Sequence, residues 1–192
     1  KRQSVKTVGK EAHSSKPHLG RNAIYDMVKV IDALRRVPPG RFKIDGFEGV
    51  MPVNVATIEG GRAVNIVPGE CKIACERRLF PGEEPQVMME KIRSALGKLV
   101  DVNVECEFSP NVQLPYLVDK GEEVVSLVVD SVSRAVGYKP SLNIGLGRTD
   151  SVYLYHDAGI KTAIVGPGHM GHAVGEYINV DRLVECVEIL EN

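Results

Sequence analysis

The sequence lacks a long apolar run, a strong net charge and a closely spaced cysteine pair. No stretch of about 18 apolar residues occurs, which excludes a typical transmembrane helix. The 24 basic and 25 acidic residues give a net charge of −1, so charge gives no reason to expect nucleic acid or an anionic membrane as a partner. The polar start of the chain is not methionine and is not followed by a signal-type apolar core. We therefore expect a cytoplasmic protein with no membrane or nucleic acid partner.

The four cysteines are spread along the chain, and none lies in a Cys-x-x-Cys pair. Cys71 and Cys75 are four residues apart in a run typical of a strand, so both face one side of it. Such cysteines are mostly small buried hydrophobes in a reducing compartment. A cysteine zinc site is the alternative interpretation, although such sites usually contain closer pairs.

The first part of the chain predicts the order strand, helix, strand, strand, helix, strand. A helix is expected over 22–36, because apolar residues recur at helical spacing and Pro38-Pro39 follows them. A second helix opens after Pro81-Gly82, and its apolar stripe ends at Leu99. The predicted strands are 5–8, 53–59, 64–67 continuing to 71–78, and 102–108. This order is typical of an α+β, ferredoxin-like split β-α-β fold, in which two helices cover one face of a four-stranded antiparallel sheet.

The second part of the chain follows a connector over 109–115 and has a different order of predicted helices and strands. Predicted helices cover 122–136, 150–156 and 181–190, and predicted strands cover 142–144 and 162–165. This alternation suggests an α/β sheet. Because two or three strands cannot form such a sheet alone, the region either packs on something else or lacks part of its sheet. We therefore predict two domains, 1–110 and 111–192.

A turn-rich loop carries the first candidate site residue. Residues 9–24 read GKEAHSSKPHLGRNAI, which puts His13 just past a short strand, where a ligand can reach it. This pattern closely resembles the lid domain of the zinc aminoacylase, acetylornithine deacetylase and succinyl-diaminopimelate desuccinylase family. The alternative is an ordinary surface histidine.

A second motif resembles the lid hairpin of the same family. Residues 60–71 read GGRAVNIVPGEC and residues 76–83 read ERRLFPGE. The resemblance implies that Asn65 and Arg78 reach the α-carboxylate of the substrate. A guanidinium can hold a carboxylate through two charge-assisted hydrogen bonds, and an amide NH2 can add another. Glu76 stands where the family usually has an aspartate. The alternative for Arg78 is a surface ion pair.

A third motif lies near the end of the chain. Residues 166–178 read GPGHMGHAVGEYI and resemble the terminal Gly-Pro-Gly loop and the His-x-x-x-Glu-Tyr step of the family. The resemblance implies that His172 binds a metal ion, and neutral imidazole is a good zinc ligand. His169 is the rival ligand, but Glu176 has the family spacing from His172. The alternative is two loop histidines without a metal.

A fourth motif, GLGRTD at 145–150, resembles the Gly-Gly-Thr-Asp loop of the family. The resemblance implies that Gly147 and Thr149 contact the substrate through their backbone. Arg148 stands where the family often has a second glycine, which reaches positive φ more easily. A helix N-cap at Thr149-Asp150 is the alternative, and the two roles are compatible.

The resemblance covers nearly all of the chain but corresponds to roughly the C-terminal half of a family member. Most metal ligands and the general base of the family precede the lid. The two Glu-Glu pairs, Glu83-Glu84 and Glu122-Glu123, begin predicted helices, where the helix dipole explains acidic residues. We therefore expect a fragment that is inactive alone.

The resemblance implies a dimetal amidohydrolase that deacylates N-acyl amino acids, or a carboxypeptidase or dipeptidase acting on short peptides. Two zinc ions are expected, with cobalt or manganese as alternatives. His13 would stabilise an oxyanion in the neighbouring subunit of a homodimer formed through the lid. A lid-type dimerisation or binding module without catalysis is the second hypothesis. A ferredoxin-like RNA-binding module is disfavoured, because the strands lack clustered aromatic and basic residues.

Overall fold

The chain divides into two compact units, Lys1–Pro115 and Tyr116–Asn192. The structure is a computed structural model that describes residues 2–147, 149–168 and 174–191. The boundary between the units falls at the end of the expected connector over 109–115.

The first unit contains a four-stranded antiparallel sheet and two α-helices. Its elements are β1 (Arg2–Val8), α1 (Ala23–Arg35), β2 (Gly40–Ile44), β3 (Phe47–Met51), β4 (Asn54–Gly60), β5 (Glu70–Glu76), α2 (Pro85–Gly97) and β6 (Val104–Phe108). The strand order in the sheet is β4-β5-β1-β6, and every neighbouring pair is antiparallel. The predicted α+β class and four-stranded antiparallel sheet are therefore confirmed.

Both helices pack against the sheet through one shared apolar core. Val5 of β1 and Ile73 of β5 are fully buried together with Met27 of α1 and Ile92 of α2. The alternation along β5 follows the prediction, since Cys71, Ile73 and Cys75 are buried while the residues between them are exposed. At about 25 cal/mol per Å² of apolar surface, this burial is the main favourable term in the folding of the unit.

The predicted strand starts three residues later than β1 does, because Gln3, the core-facing residue near the start of β1, is polar. Gln3 and Thr7 are 3% and 0% exposed and flank Val5 on the core side. The Thr7 hydroxyl donates to the backbone oxygen of Ala23 over 2.8 Å. The Cys75 thiol lies 3.4 Å from Gln3 Oε1 and donates to it. These hydrogen bonds permit the burial that an apolar pattern alone could not predict.

A hairpin formed by β2 and β3 was absent from the sequence prediction. Its strands pair from Gly40–Met51 to Ile44–Phe47. Asp45 and Gly46 form the turn with φ values of 51° and 87°. An Asp-Gly pair is a strong signal for a hairpin turn of this hand, so the sequence did contain the relevant information.

The predicted strand over 64–67 is wrong. Val64 and Asn65 lie in a turn, and Ile66 N donates to Ala63 O over 3.2 Å. Ile66 makes only an isolated antiparallel bridge with His13. The double glycine and Pro68 interrupt the strand, because Gly61 adopts φ of +75° and proline lacks an N–H donor.

The second unit consists of three helices joined by extended segments. They are α3 (Glu123–Val136), α4 (Ser151–Ala158) and α5 (Val180–Glu191), close to the predicted ranges. Helix α3 packs on α5, and Gly137 ends α3 with φ of +77°, which confirms the predicted cap. No helix in the described part of the chain is both long and apolar enough for a membrane span.

The strands predicted over 142–144 and 162–165 are wrong. Neither segment is paired in a sheet, and residues 116–147, 149–168 and 174–191 contain no strand. Leu142 is 43% exposed and Ile164 is 61% exposed, so neither segment is the buried strand that its apolar character suggested. A strand needs a neighbour to bond its backbone, and the described part of this unit provides none. The α/β sheet expected for 111–192 is therefore not formed by these residues.

Candidate functional site

Two loops of the first unit are joined by a ladder of backbone hydrogen bonds. Gly9 N donates to Gly69 O, Val67 N to Ala12 O, and Ser14 N to Asn65 O, at 2.8, 2.8 and 3.0 Å. The ladder brings His13 and Asn65 next to each other, although they are far apart in the sequence. The sequence predicted both residues as site residues, and the structure brings them together.

Two glycines permit this close approach of the loops. A Cβ atom at Gly9 would lie 2.2 Å from the backbone oxygen of Arg21, so no other residue fits without a shift of the backbone. Gly61 has φ of +75°, which L-residues rarely adopt. The glycines of the two motifs are therefore required by backbone geometry in this unit.

The His13 ring is oriented by Ser15. Ser15 N–H donates to His13 Nδ1 over 3.2 Å, and Ser15 Oγ lies 2.8 Å from the same nitrogen. A backbone N–H can only donate, so Nδ1 acts as the acceptor and the proton of the neutral ring is on Nε2. His13 is exposed. It can therefore donate a hydrogen bond from Nε2 to a group outside the loop. Sequence reasoning missed the role of Ser15.

An exposed ion pair ties the same two loops together. Arg62 donates to both carboxylate oxygens of Glu11, through Nε at 3.1 Å and Nη2 at 2.8 Å. The hydrogen bond from Arg62 lowers the pKa of Glu11. This two-point pairing restricts the relative movement of the loops that carry His13 and Asn65. Sequence reasoning did not identify this pair.

An open groove of about 570 Å³ runs between the two loops. Its walls include Ser14, Asn22 and Ile24 from the first loop and helix, and Arg62, Val64 and Pro68 from the second loop. Val64 is fully exposed at the tip of its turn. The groove is mixed in character, because apolar residues and the polar residues Ser14, Asn22 and Arg62 line it together.

Arg78 lies two residues beyond the end of β5. Its side chain is 51% exposed, and its Nε is 3.8 Å from Glu76 Oε1. The surface ion pair considered from the sequence is therefore present, and it is long. A surface pair of this kind contributes roughly 0–1 kcal/mol and does not prevent the guanidinium from binding a carboxylate.

Asn65 and Arg78 lie beyond opposite ends of β5. The strand between them covers Glu70–Glu76, and the six steps of about 3.3 Å from its first to its last residue span roughly 20 Å. A small amino-acid substrate is shorter than this distance. The structure therefore brings His13 to Asn65 but does not bring either of them to Arg78 within one chain.

In the second unit, Thr149 belongs to a cluster of hydroxyl groups. Its hydroxyl hydrogen-bonds to Ser151, and Ser151 Oγ lies 2.5 Å from Tyr116 Oη. Thr162 Oγ1 donates to Tyr116 Oη over 3.4 Å, and the Tyr116 ring stacks on Tyr155 at 4.8 Å. These contacts hold the segment that carries Thr149. Sequence reasoning missed Tyr116 and Ser151, and no motif marked them.

The remaining predicted positions in the second unit have simpler surroundings. Gly147 is exposed, and a Cβ atom added there would meet no atom within 4 Å. Asp150 occupies the N-cap position of α4 but makes no side-chain cap hydrogen bond. Arg148, His169 and His172 lie outside the described residues.

The described residues contain no group of three or more His, Cys, Asp or Glu side chains that could hold a metal ion. They therefore do not by themselves fit the metal centre that the resemblance implies. The four cysteines are free. Burial raises the pKa of Cys71, of Cys75 to about 11, and of Cys106. Thiols with raised pKa are poor metal ligands and poor nucleophiles, as expected of buried apolar residues.

Comparison with known proteins identifies the first unit. The family model described as the peptidase dimerisation domain, M20_dimer, matches residues 3–104. The chain is 30% identical to acetylornithine deacetylase of Myxococcus xanthus over 97% of its own length and 50% of that protein. It is 27% identical to N-formyl-4-amino-5-aminomethyl-2-methylpyrimidine deformylase of Bacillus subtilis, over 93% of this chain and 46% of that protein.

A solved structure gives the same result. The crystal structure of the aminopeptidase PepT from Bacillus cereus superposes with a TM-score of 0.70 and 26% identity, over 98% of this chain and 49% of that one. The chain thus spans about half the length of the relatives that it matches. Because the family model covers more than half of the 192 residues, the chain belongs to the M20 peptidase family, whose dimerisation domain lies within its first unit.

Proposed function

We propose that the protein to which this chain belongs is a metal-dependent amidohydrolase that removes an acyl group from the nitrogen of an amino acid. The observation that carries the proposal is the ladder that places His13 next to Asn65, together with the orientation of His13 by Ser15. This arrangement offers an exposed N–H donor of fixed direction. The names of the two curated relatives, a deacetylase and a deformylase, support acyl removal.

In this proposal, His13 stabilises the negative charge that develops on the amide oxygen. A pre-oriented donor costs little reorganisation when the charge develops, and one such donor contributes about a hundred- to thousandfold in kcat. Asn65 and Arg78 bind the substrate carboxylate, and Gly147 and Thr149 contact the substrate from the second unit. Residues 1–110 act as a ferredoxin-like lid, and residues 111–192 act as part of the catalytic domain.

The metal ions are proposed on the family alone. Zinc is expected, and cobalt or manganese could take its place because nitrogen and oxygen ligands accept all three. His172 is the ligand that we propose from this chain, and it lies outside the described residues. We expect the 192-residue chain alone to be inactive.

We propose that the opposite positions of Asn65 and Arg78 serve a homodimer. In such a dimer, His13 and Asn65 at one end of β5 contribute to the active site of the partner. Arg78 at the other end of β5 contributes to the active site of its own subunit. Strand β4 is at the edge of the sheet, and α1 exposes Tyr25 and Val28 at 71% and 54%. An edge strand and apolar helix residues are suited to pairing with a second copy.

Mixed dimers test the proposed function and the arrangement together. The wild-type full-length protein should release acetate from N-acetylornithine, or the acyl group from a related N-acyl amino acid. His13→Ala should lose about a hundred- to thousandfold in kcat, and Arg78→Ala roughly ten- to hundredfold in kcat/KM. Subunit exchange between these two variants should restore activity, because one site then combines an intact His13 with an intact Arg78.

The matched control is exchange between His13→Ala and Asn65→Ala. It should restore nothing, because both residues would come from the same subunit. If neither mixture regains activity after verified exchange, the division between the two subunits is wrong. If the wild-type protein cleaves short peptides instead, the function is that of a carboxypeptidase or dipeptidase, as the probable carboxypeptidases among the relatives suggest.

A second candidate function is a dimerisation or binding module without catalysis. The description of the family model as a dimerisation domain favours it. A full-length protein that forms dimers but hydrolyses neither N-acyl amino acids nor peptides, with metal supplied, would support this module. We propose the cytoplasm as its location in either case.

A further inference from the structure

Arg77 is a buried charged residue next to Arg78. It is 2% exposed, and its Nη1 lies 2.7 Å from Oε1 of Glu83, whose side chain is 10% exposed. Its Nε donates to the backbone oxygen of Met51 over 3.0 Å. One guanidinium thus joins the end of β3 to the turn that precedes α2.

The same guanidinium packs against the base of the β2–β3 hairpin. A Cβ atom at Gly40 would lie 1.7 Å from Arg77 Nη2 and 2.9 Å from the Phe80 ring, so a side chain there would displace the guanidinium from this position. Gly40 pairs with Met51 at the open end of the hairpin. The Phe80 ring stacks on Phe42 of β2 at 5.9 Å. The hairpin base and residues 77–83 therefore form one packed contact.

Arg77 and Arg78 are consecutive residues that point in opposite directions. Successive side chains of an extended chain alternate between its two sides, and Arg77 is buried while Arg78 is about half exposed. Strand β5 ends at Glu76, so this part of the backbone lies beyond the sheet. The contacts of Arg77 fix the point from which Arg78 projects.

Stability alone does not explain a buried ion pair. Removing two charges from water costs about as much as their attraction returns, and apolar replacements of similar size are often neutral or stabilising. We propose that the Arg77–Glu83 pair is a positioning device, which holds Arg78 at a fixed place for the substrate carboxylate and couples it to the β2–β3 hairpin. This inference rests on the proposed function for the role of Arg78.

The first experiment needs no activity. In the 192-residue chain, Arg77→Met combined with Glu83→Leu removes both charges and keeps similar side-chain volumes. We use this double variant because either single change would leave a buried charge without its partner and could unfold the unit. Hydrogen exchange of the amides of 40–51 and 78–83 should be at least tenfold faster in the double variant, with a melting temperature within a few degrees of wild type.

The control for this experiment is Arg35→Met. Arg35 forms an exposed ion pair with Asp32 at 3.8 Å, so its loss should leave exchange of both segments unchanged. Unchanged exchange of the two segments in the double variant would overturn the inference, since the pair would then hold nothing in place. Faster exchange across the whole first unit would also overturn it, because the pair would then be a general stabiliser.

The second experiment uses the full-length protein and two substrates, an N-acetyl amino acid and its α-carboxamide. Arg78→Ala should reduce the preference for the acid over the amide by about tenfold or more. The Arg77→Met/Glu83→Leu variant should reduce the same preference, with little change in kcat for the amide. Adding Arg78→Ala to the double variant should reduce the preference by less than a further twofold, because both changes remove the same interaction.

The outcomes separate this inference from the proposed function. If the wild-type protein hydrolyses neither substrate, the proposed function fails, and the exchange experiment still tests the pair. If the wild-type protein prefers the acid but the double variant keeps that preference, the positioning role is wrong. Fully additive effects of the double variant and Arg78→Ala would also contradict it.

Discussion

The two units of this chain bury very different amounts of apolar surface. Fifteen of the eighteen buried apolar residues among those described lie in the first unit, and only Val125, Val132 and Ile189 lie in the second. Conversely, of the twenty-seven large apolar side chains that are exposed in the described part of the chain, eighteen lie in the second unit. The first unit has a core of its own, whereas the second presents apolar faces that need a partner.

This difference explains where sequence reasoning succeeded. In the first unit, each strand and helix has its packing partners in the same segment of chain, so hydrophobic periodicity predicted the sheet and both helices. In the second unit, the apolar runs at 142–144 and 162–165 have strand character but no neighbour among the described residues. Apolar pattern predicts that a segment will be buried, and the partner decides whether it becomes a strand.

The most direct test of this difference between the two units is to divide the chain after Pro115. We expect residues 1–115 to unfold in one cooperative transition near that of the intact chain, because their core is complete. We expect residues 116–192 to show no cooperative transition, because three buried apolar side chains provide little core. Circular dichroism melts of both pieces test this. A sharp melt of 116–192 would contradict the contrast between the units.

Single substitutions test the same difference in burial between the two units. Ile73 is fully buried, and Ile73→Ala should lower the free energy of unfolding by about 2–5 kcal/mol through lost contacts and a cavity. Val187 of α5 is 52% exposed, and Val187→Ala should change the free energy of unfolding by less than about 0.5 kcal/mol. Urea denaturation of both variants gives the two values. Similar losses would mean that α5 is buried as deeply as β5.

The candidate site shows a second limit of prediction from the sequence. The motifs predicted His13, Asn65 and Arg78, but spacing along the chain could not reveal that β5 separates Asn65 from Arg78. The contacts of Ser15 with His13 and of Arg77 with Met51 depend on loop and hairpin geometry. The burial of Gln3 and Thr7 was missed for a related reason, since polar residues on the core side interrupt the expected alternation of apolar and polar residues. Residue types suggested the chemistry, and topology decided which residues meet.

The buried cysteines of the first unit predict a pH dependence of its stability. Burial raises the pKa of Cys75 from 9.0 to about 11. Above pH 9 the unfolded chain loses this thiol proton while the folded chain keeps it, so stability falls between pH 9 and 11. Below pH 9 both states are protonated and the contribution is constant.

Urea denaturation between pH 8 and 11 measures this effect. Cys75→Ala should reduce the fall in the free energy of unfolding, by up to about 1.4 kcal/mol per pH unit. Val187→Ala in the second unit is the control, since it removes no titratable group and should leave the slope of the wild-type chain. Equal slopes in the wild type and Cys75→Ala would show that the Cys75 thiol ionises as freely in the folded state as in the unfolded state.

The smallest expected difference concerns the starts of two helices. Asn22 caps α1, and its Oδ1 accepts from the backbone N–H groups of Ile24 and Tyr25 at 2.9 and 3.3 Å. Asn22→Ala should therefore lower the free energy of unfolding by about 1 kcal/mol. Asp150 occupies the same position of α4 without a side-chain cap bond, so Asp150→Ala should cost less than about 0.5 kcal/mol. Because each change removes one short polar side chain at a helix start, the pair is matched in chemistry. Urea denaturation of both variants at pH 7 compares the two losses. A larger loss of unfolding free energy for Asp150→Ala would contradict the contrast between the capped start of α1 in the first unit and the start of α4 in the second unit, which has no side-chain cap bond.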